Sequence, residues 1–159
     1  MGVILPEKVL KEVERVSRKE GVPPEEIIGR AVVEFLRLDD PETRAEVHES
    51  LSKKYMRDAE ELLKKGDYVQ ASEKAWGAAS QMVKAVAAKN GLELRSHGEL
   101  HKFVSEISKE RGDEEIRRLW RSAIVLHQNF YENWLPEDMV VDSIGDVRKL
   151  IKKLKTMDR

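Results

Sequence analysis

Asp67-Tyr-Val-Gln-Ala-Ser-Glu-Lys-Ala-Trp-Gly-Ala-Ala-Ser-Gln-Met-Val-Lys-Ala-Val86 is the stretch that decides the fold. Asp67 stands at an N-cap position and Gln70 follows three residues later, the spacing of a capping box. Ala71, Ala75, Ala78, Ala79, Met82, Val83 and Val86 then recur at helical spacing on one largely small face. Small side chains let a neighbouring helix approach closely, so this segment is expected to be the central helix of a bundle. Gly66 precedes it and Gly91 closes it.

Working outward, the same periodicity predicts a helix from about Glu42 to Lys65 with Val47, Leu51, Tyr55, Ala59 and Leu62 inward. Downstream, Ser96 and Glu99 form a second capping box ahead of Leu100, Phe103, Val104 and Ile107. A fourth helix starts near Gly112 and Asp113 and runs to Pro136, which opens a fifth carrying Val140, Ile144, Val147, Ile151 and Leu154. The expected fold class is therefore all-α: an antiparallel bundle of four to five helices over residues 42–156. Lys149, Lys152, Lys153 and Lys155 gather at its end, either as a solvated helix terminus suited to the negative pole or as phosphate contacts.

Asp39-Asp-Pro41 bounds the bundle on its N-terminal side. Residues 1–38 read as an N-terminal arm: a short edge strand at Val3-Ile-Leu5, then two helices separated by Gly21-Val-Pro-Pro24. The first carries Val9, Leu10, Val13 and Val16, the second Ile27, Ile28, Ala31, Val32, Phe35 and Leu36. The order resembles a ribbon-helix-helix module, which pairs strands from two chains and reads the DNA major groove with them. Gly2, Val3, Ile4 and Leu5 carry no polar side chain for groove reading, and the arm is formally neutral, so dimerisation or packing is the expected role.

Composition narrows the function classes. The 159 residues include 29 Lys plus Arg against 30 Asp plus Glu, so no bulk positive field draws in nucleic acid, and any such binding needs a local patch. Hydrophobic residues at 40% and charged residues at 37% fit one compact domain plus an arm. The absence of Cys removes disulfide and thiol chemistry and, with no apolar run of membrane length and no signal-peptide layout, leads to a cytoplasmic expectation. His97-Gly-Glu-Leu-His101 has the four-residue histidine spacing of a metal pair, but Gly98 stands where a zinc-protease helix needs Glu. Neither metal nor cofactor is expected.

The chemistry concentrates in Arg121-Ser-Ala-Ile-Val-Leu-His127-Gln-Asn-Phe-Tyr131-Glu-Asn-Trp134. Ile116, Leu119, Trp120, Ala123, Ile124, Leu126, Phe130, Tyr131 and Trp134 fall in an apolar arc roughly 160° wide, wide enough for the bundle and a second surface such as another subunit. His127 lies within that arc, while Arg121 lies about 120° around the axis and about 9 Å along it. Together His127 could serve as general acid or base and Arg121 as phosphate clamp, with RNA as substrate because its 2′-hydroxyl is an internal nucleophile. The alternative is structural: a core histidine bonded to a neighbour and an arginine paired with a nearby Glu.

Gly66-Asp-Tyr-Val-Gln-Ala-Ser-Glu-Lys-Ala-Trp-Gly-Ala-Ala79, Arg95-Ser-His97 and Leu126-His-Gln-Asn-Phe-Tyr-Glu-Asn-Trp134 together resemble the archaeal PaREP family of small helical proteins. That family is similar in layout to the HEPN superfamily of helical bundles. The resemblance implies a homodimer and, from the Arg, four-to-six residues, His pattern of HEPN ribonucleases, a metal-independent endoribonuclease site of Arg121 and His127, with Tyr131 beside them, in a cleft between subunits. In active members Asn, Asp or His commonly follows the Arg, where this chain has Ser122. It equally implies non-catalytic roles: RNA binding, or a nucleotidyltransferase or antitoxin partner. Residues 59–79 also resemble one tetratricopeptide unit, a peptide-binding scaffold, with no second copy in the chain.

Overall fold

A computed structural model describes residues 2–157. Seven helices follow in order among them: α1 (Glu7–Glu20), α2 (Pro24–Phe35), α3 (Pro41–Lys64), α4 (Tyr68–Lys89), α5 (His97–Arg111), α6 (Glu115–Glu132) and α7 (Glu137–Lys155). The fold class is all-α. The strand expected at Val3-Ile-Leu5 is not formed. Residues 2–6 precede α1 without strand structure, and Val3 and Ile4 are 75% and 93% exposed, with no strand among the described residues to pair with.

Helix α4 is the central element. Ala71, Ala75, Ala78, Ala79, Met82, Val83 and Val86 are all buried, as their spacing predicted, and burial extends right round the helix between Ala78 and Ala88. Helices α3, α5, α6 and α7 all pack against it. Asp67 caps it by accepting from the Gln70 backbone N–H at 3.1 Å. The second box is complete: Ser96 accepts from the Glu99 N–H, and the Glu99 carboxylate accepts from the Ser96 N–H. Helix α7 contributes Val140, Ile144, Val147, Leu150 and Leu154 to the core, with Ile151 half-buried beside them.

Two inward faces differ from the expectation. On α3 the buried line is Ala45, His48, Ser52, Tyr55 and Ala59, so Val47, Leu51 and Leu62 are only half-buried. The rotation is driven by polar pairing with α4. The Ser52 hydroxyl donates to the Ala78 carbonyl at 2.7 Å, and His48 Nδ1 meets Gln81 Oε1 at 2.7 Å. Tyr55 fits because Gly77 lies opposite, where a Cβ would stand 3.3 Å from the Tyr55 ring.

On α6, Ile116, Leu119, Trp120, Ala123 and Leu126 are buried, whereas Tyr131 and Trp134 are 70% and 54% exposed. The helix ends at Glu132, and Asn133 adopts a left-handed φ of 47°. Asn129, placed by periodicity on the polar side, is 1% exposed. Its Oδ1 accepts from the Trp134 and Leu135 N–H groups at 3.0 and 2.8 Å, and its amide donates to Ser72 Oγ at 3.0 Å. A buried side chain thus replaces the missing next turn of α6 and aims the chain into α7.

The two arm helices form a hairpin whose second member, α2, packs on α3. Gly29 permits a close approach, since a Cβ there would lie 3.0 Å from Val47 Cγ1. The stronger tie is polar. Glu26, 3% exposed, accepts from Lys84 Nζ at 2.9 and 3.0 Å and from Gln81 Nε2 at 2.7 Å. Gln81 Oε1 in turn requires the Nδ1–H tautomer of neutral His48. Burial, ahead of all other causes, pushes the His48 pKa below its ordinary value.

Two outcomes follow from this network. Replacing Glu26 with Ala leaves Lys84 buried without its counter-charge, a loss of about 3–5 kcal/mol in comparable pairs; urea melts and early proteolysis at the α1–α2 turn would register it. The lowered His48 pKa means the unfolded chain binds a proton more readily. Stability from His48 is present above pH 6.5, the ordinary value, and is lost as pH falls from there through its lowered folded value. Denaturation midpoints at pH 7.5 and 5.5 should differ in that direction, and less so in His48→Gln.

Candidate functional site

A cavity of about 850 Å³ lies where the α1–α2 turn, α3, α4, the start of α5 and the end of α6 converge. Helix α4 supplies the floor. Glu73 and Trp76 occur one turn apart, just before the stretch that is buried all round; the half-buried Glu73 reaches the opening, and Trp76, part of the core, presents a ring edge to it. Capping by Ser96 sets the start of α5 and puts His97 at its first position. His127 comes from the last turns of α6.

These residues meet as one cluster. The His127 ring stacks on Trp76 with centroids 4.7 Å apart and planes 25° apart. His97 stands edge-on to both, 5.1 Å from His127 and 5.3 Å from Trp76, and Tyr131 meets His127 at 5.3 Å. Glu73 Oε2 lies 3.0 Å from His127 Nδ1. A carboxylate only accepts, so Nδ1 carries the hydrogen and Nε2 is left as the reactive nitrogen. The side chains of His127 and Glu73 are 20% and 32% exposed, so the pair is reachable yet oriented.

Electrostatics around the cluster are uneven. Burial is the main cause that holds the His97 pKa below its ordinary value, followed by the charges of His127, His101 and Lys84. His97 is therefore neutral at neutral pH. Burial likewise lowers His101, whose Nδ1 accepts the Trp120 indole N–H at 3.0 Å. That bond occupies the nitrogen a metal would need, and no three described His, Asp or Glu residues are grouped to hold a metal ion. Tyr55 donates to Glu25 at 2.9 Å, and burial with the Glu25 charge pushes its pKa up, so it remains a phenol.

Arg18, Lys19, Lys74, Lys84 and Arg95 line the cavity against Glu20, Glu25 and Glu73. Lys84 is neutralised by Glu26, and Arg95 pairs with Glu93 at 3.1 Å. Arg18 and Lys19 make no ion pair with a described carboxylate and remain available to an anion.

Of the three residues singled out from sequence, the fold brings His127 and Tyr131 to this cavity. Arg121 is exposed on the polar side of α6 and is not part of the lining, so one chain does not unite it with His127. Beside it, Ser122 donates to Asp146 on α7 at 2.6 Å. Glu73, Trp76, Arg18 and Lys19 were not anticipated. The only sequence signal for Glu73 is its place on the side of α4 opposite the small face of Ala71, Ala75 and Ala78.

The archaeal PaREP1/PaREP8 family model matches residues 47–151, which include most of the cavity wall and the stretches of α4 and α6 quoted above. The chain belongs to this family. A crystal structure of a Sulfolobus solfataricus protein is 33% identical, covers 66% of this chain and 93% of that one, and superposes with a TM-score of 0.60. No curated protein matches. The PaREP resemblance of the α4 and α6 motifs is thereby established, with those motifs inside the matched range.

Loss of the Glu73 carboxylate should release the His127 tautomer. In Glu73→Ala, imidazole ¹⁵N shifts are expected to move from a predominant Nδ1–H form toward a mixture, with the fold retained by circular dichroism. An unchanged tautomer would mean the 3.0 Å contact does not orient the ring.

Proposed function

We propose that this PaREP1/PaREP8 chain is a cytoplasmic, HEPN-like protein that binds RNA in the cavity and cleaves it without metal, with His127 as the proton-transfer group. The observation that carries the reading is the Glu73–His127 bond inside a cavity whose rim bears the unpaired cations Arg18 and Lys19. A carboxylate-oriented imidazole with a free Nε2 is suited to acid–base work near neutral pH. Cations beside it offset phosphate charge, and the 2′-hydroxyl of RNA supplies the nucleophile that the protein lacks. Tyr131, 70% exposed at the rim, offers a ring face for an unstacked base.

Arg121 enters this reading only through a homodimer, in which a second subunit brings its guanidinium to the cavity mouth. Within one chain, Arg18 and Lys19 take the clamp role instead. A non-catalytic reading is favoured by a different observation. The exposed apolar side chains Val9, Leu10, Val32, Phe35 and Leu36 of the arm suit an assembly surface for a second copy, a nucleotidyltransferase or an antitoxin.

Purified protein is expected to cleave oligoribonucleotides in EDTA, and His127→Ala to lower the rate by about 100-fold or more. Arg121→Ala should lower it only if light scattering finds a dimer. Equal, negligible cleavage by all three would remove the catalytic reading.

A further inference from the structure

Transesterification of RNA needs two proton transfers, one from the attacking 2′-oxygen and one to the departing 5′-oxygen. His127 supplies only one of these. The cavity contains a second imidazole placed for the other. His97 makes no hydrogen bond to a described group, touches His127 edge to face with centroids 5.1 Å apart, and projects from a capped helix start whose geometry is fixed by Ser96 and Glu99. Its neighbour His101 is engaged by Trp120 and does not line the cavity. Arg121 is on another face of α6.

We infer that His97 is a catalytic residue, the base that pairs with His127 as acid in a two-imidazole centre acting on single-stranded RNA. This rests on the RNA-directed reading of the cavity given above. Two imidazolium rings at this separation repel each other across a partly buried site, so the pair favours carrying one proton. Glu73 bonds His127 and balances a positive charge there, while burial and the surrounding charges keep His97 neutral.

The step then balances. The ribose O2′ attacks the adjacent phosphorus as His97 takes its proton. The P–O5′ bond breaks as His127 Nε2–H protonates O5′. The products are a 2′,3′-cyclic phosphate and a 5′-hydroxyl end, and the two rings restore their protons through solvent. Arg18 and Lys19 line the same cavity, where their charge would offset that of the phosphate.

Groups facing the pair set its pH dependence: Glu73 and Lys84 from α4, His101 and Arg95 from α5 and the segment before it, Tyr131 from α6, and Arg18, Lys19, Glu20 and Glu25 from the arm. Since the base must be neutral, the rate rises with pH through the lowered pKa of His97.

The test uses the full chain, a fluorescent mixed-sequence oligoribonucleotide and EDTA, with His97→Gln, His97→Asn and His127→Gln. Product ends are read by mass spectrometry and kcat as a function of pH. Expected are 2′,3′-cyclic phosphate ends and a rate that rises with pH along an acidic limb, with a loss of about 100-fold or more for each variant. Both His97 variants should lose that limb, and His127→Gln should keep it. If folded His97→Gln and His97→Asn cleave within about threefold of the parent with the acidic limb intact, too little for a lost general base, the role of His97 is overturned and the RNA reading stands. If the parent leaves RNA uncut, both fall. A 5′-phosphate product would also overturn the two-imidazole step while leaving cleavage in place.

Discussion

Because α4 has no solvent-facing side between Ala78 and Ala88, every polar group it carries there must find a partner in the protein. That constraint organises the molecule. Gln81 and Lys84 cannot reach water, so Glu26 of the arm and His48 of α3 are drawn to them. Ser80 turns back onto the Trp76 carbonyl at 2.9 Å. One turn earlier, Ser72 receives the Asn129 amide and so ties α6 to the same helix. The small side chains of α4 allow the close packing, and its few polar ones decide which faces of the neighbours turn inward.

The site is the place where this enclosure stops. Towards its N-terminus α4 emerges from the surrounding helices, and there Glu73 and Trp76 line the open cavity. The reactive cluster therefore rests on the most enclosed helix of the fold. Its imidazoles come from the beginning of α5 and the end of α6, where one capping box and one buried asparagine fix the backbone. Positioning of this kind needs few contacts, because the supporting groups are themselves held by the core.

Much of the architecture could be read from the chain because its signals are local. Small residues at helical spacing marked α4, Gly66 and Gly91 marked helix ends, and Ser96 with Glu99 announced the start of α5. The rotation of α3 was not legible. It depends on Ser52 and His48 bonding to groups on another helix, a preference that hydrophobic periodicity does not encode. For the same reason Asn129 was assigned to water. In the site, the motif spacing paired His127 with Arg121, which periodicity itself set on another face, whereas its bonded partner Glu73 is 54 positions away. The strand at Val3-Ile-Leu5 was read from residue preference alone, and a strand without a neighbour has no ladder to join.

Arg18 through Glu25, the turn of the arm, form one continuous wall of the cavity, and Glu26 next to them anchors the arm to α4. Occupancy of the cavity and attachment of the arm are consequently two halves of one equilibrium. Whatever free energy the docked turn lends to a guest, the guest returns to the docking, by thermodynamic reciprocity. A molecule gripping the arm from outside would thus alter the cavity's affinity without entering it, in a direction set by whether it favours the docked or the released hairpin.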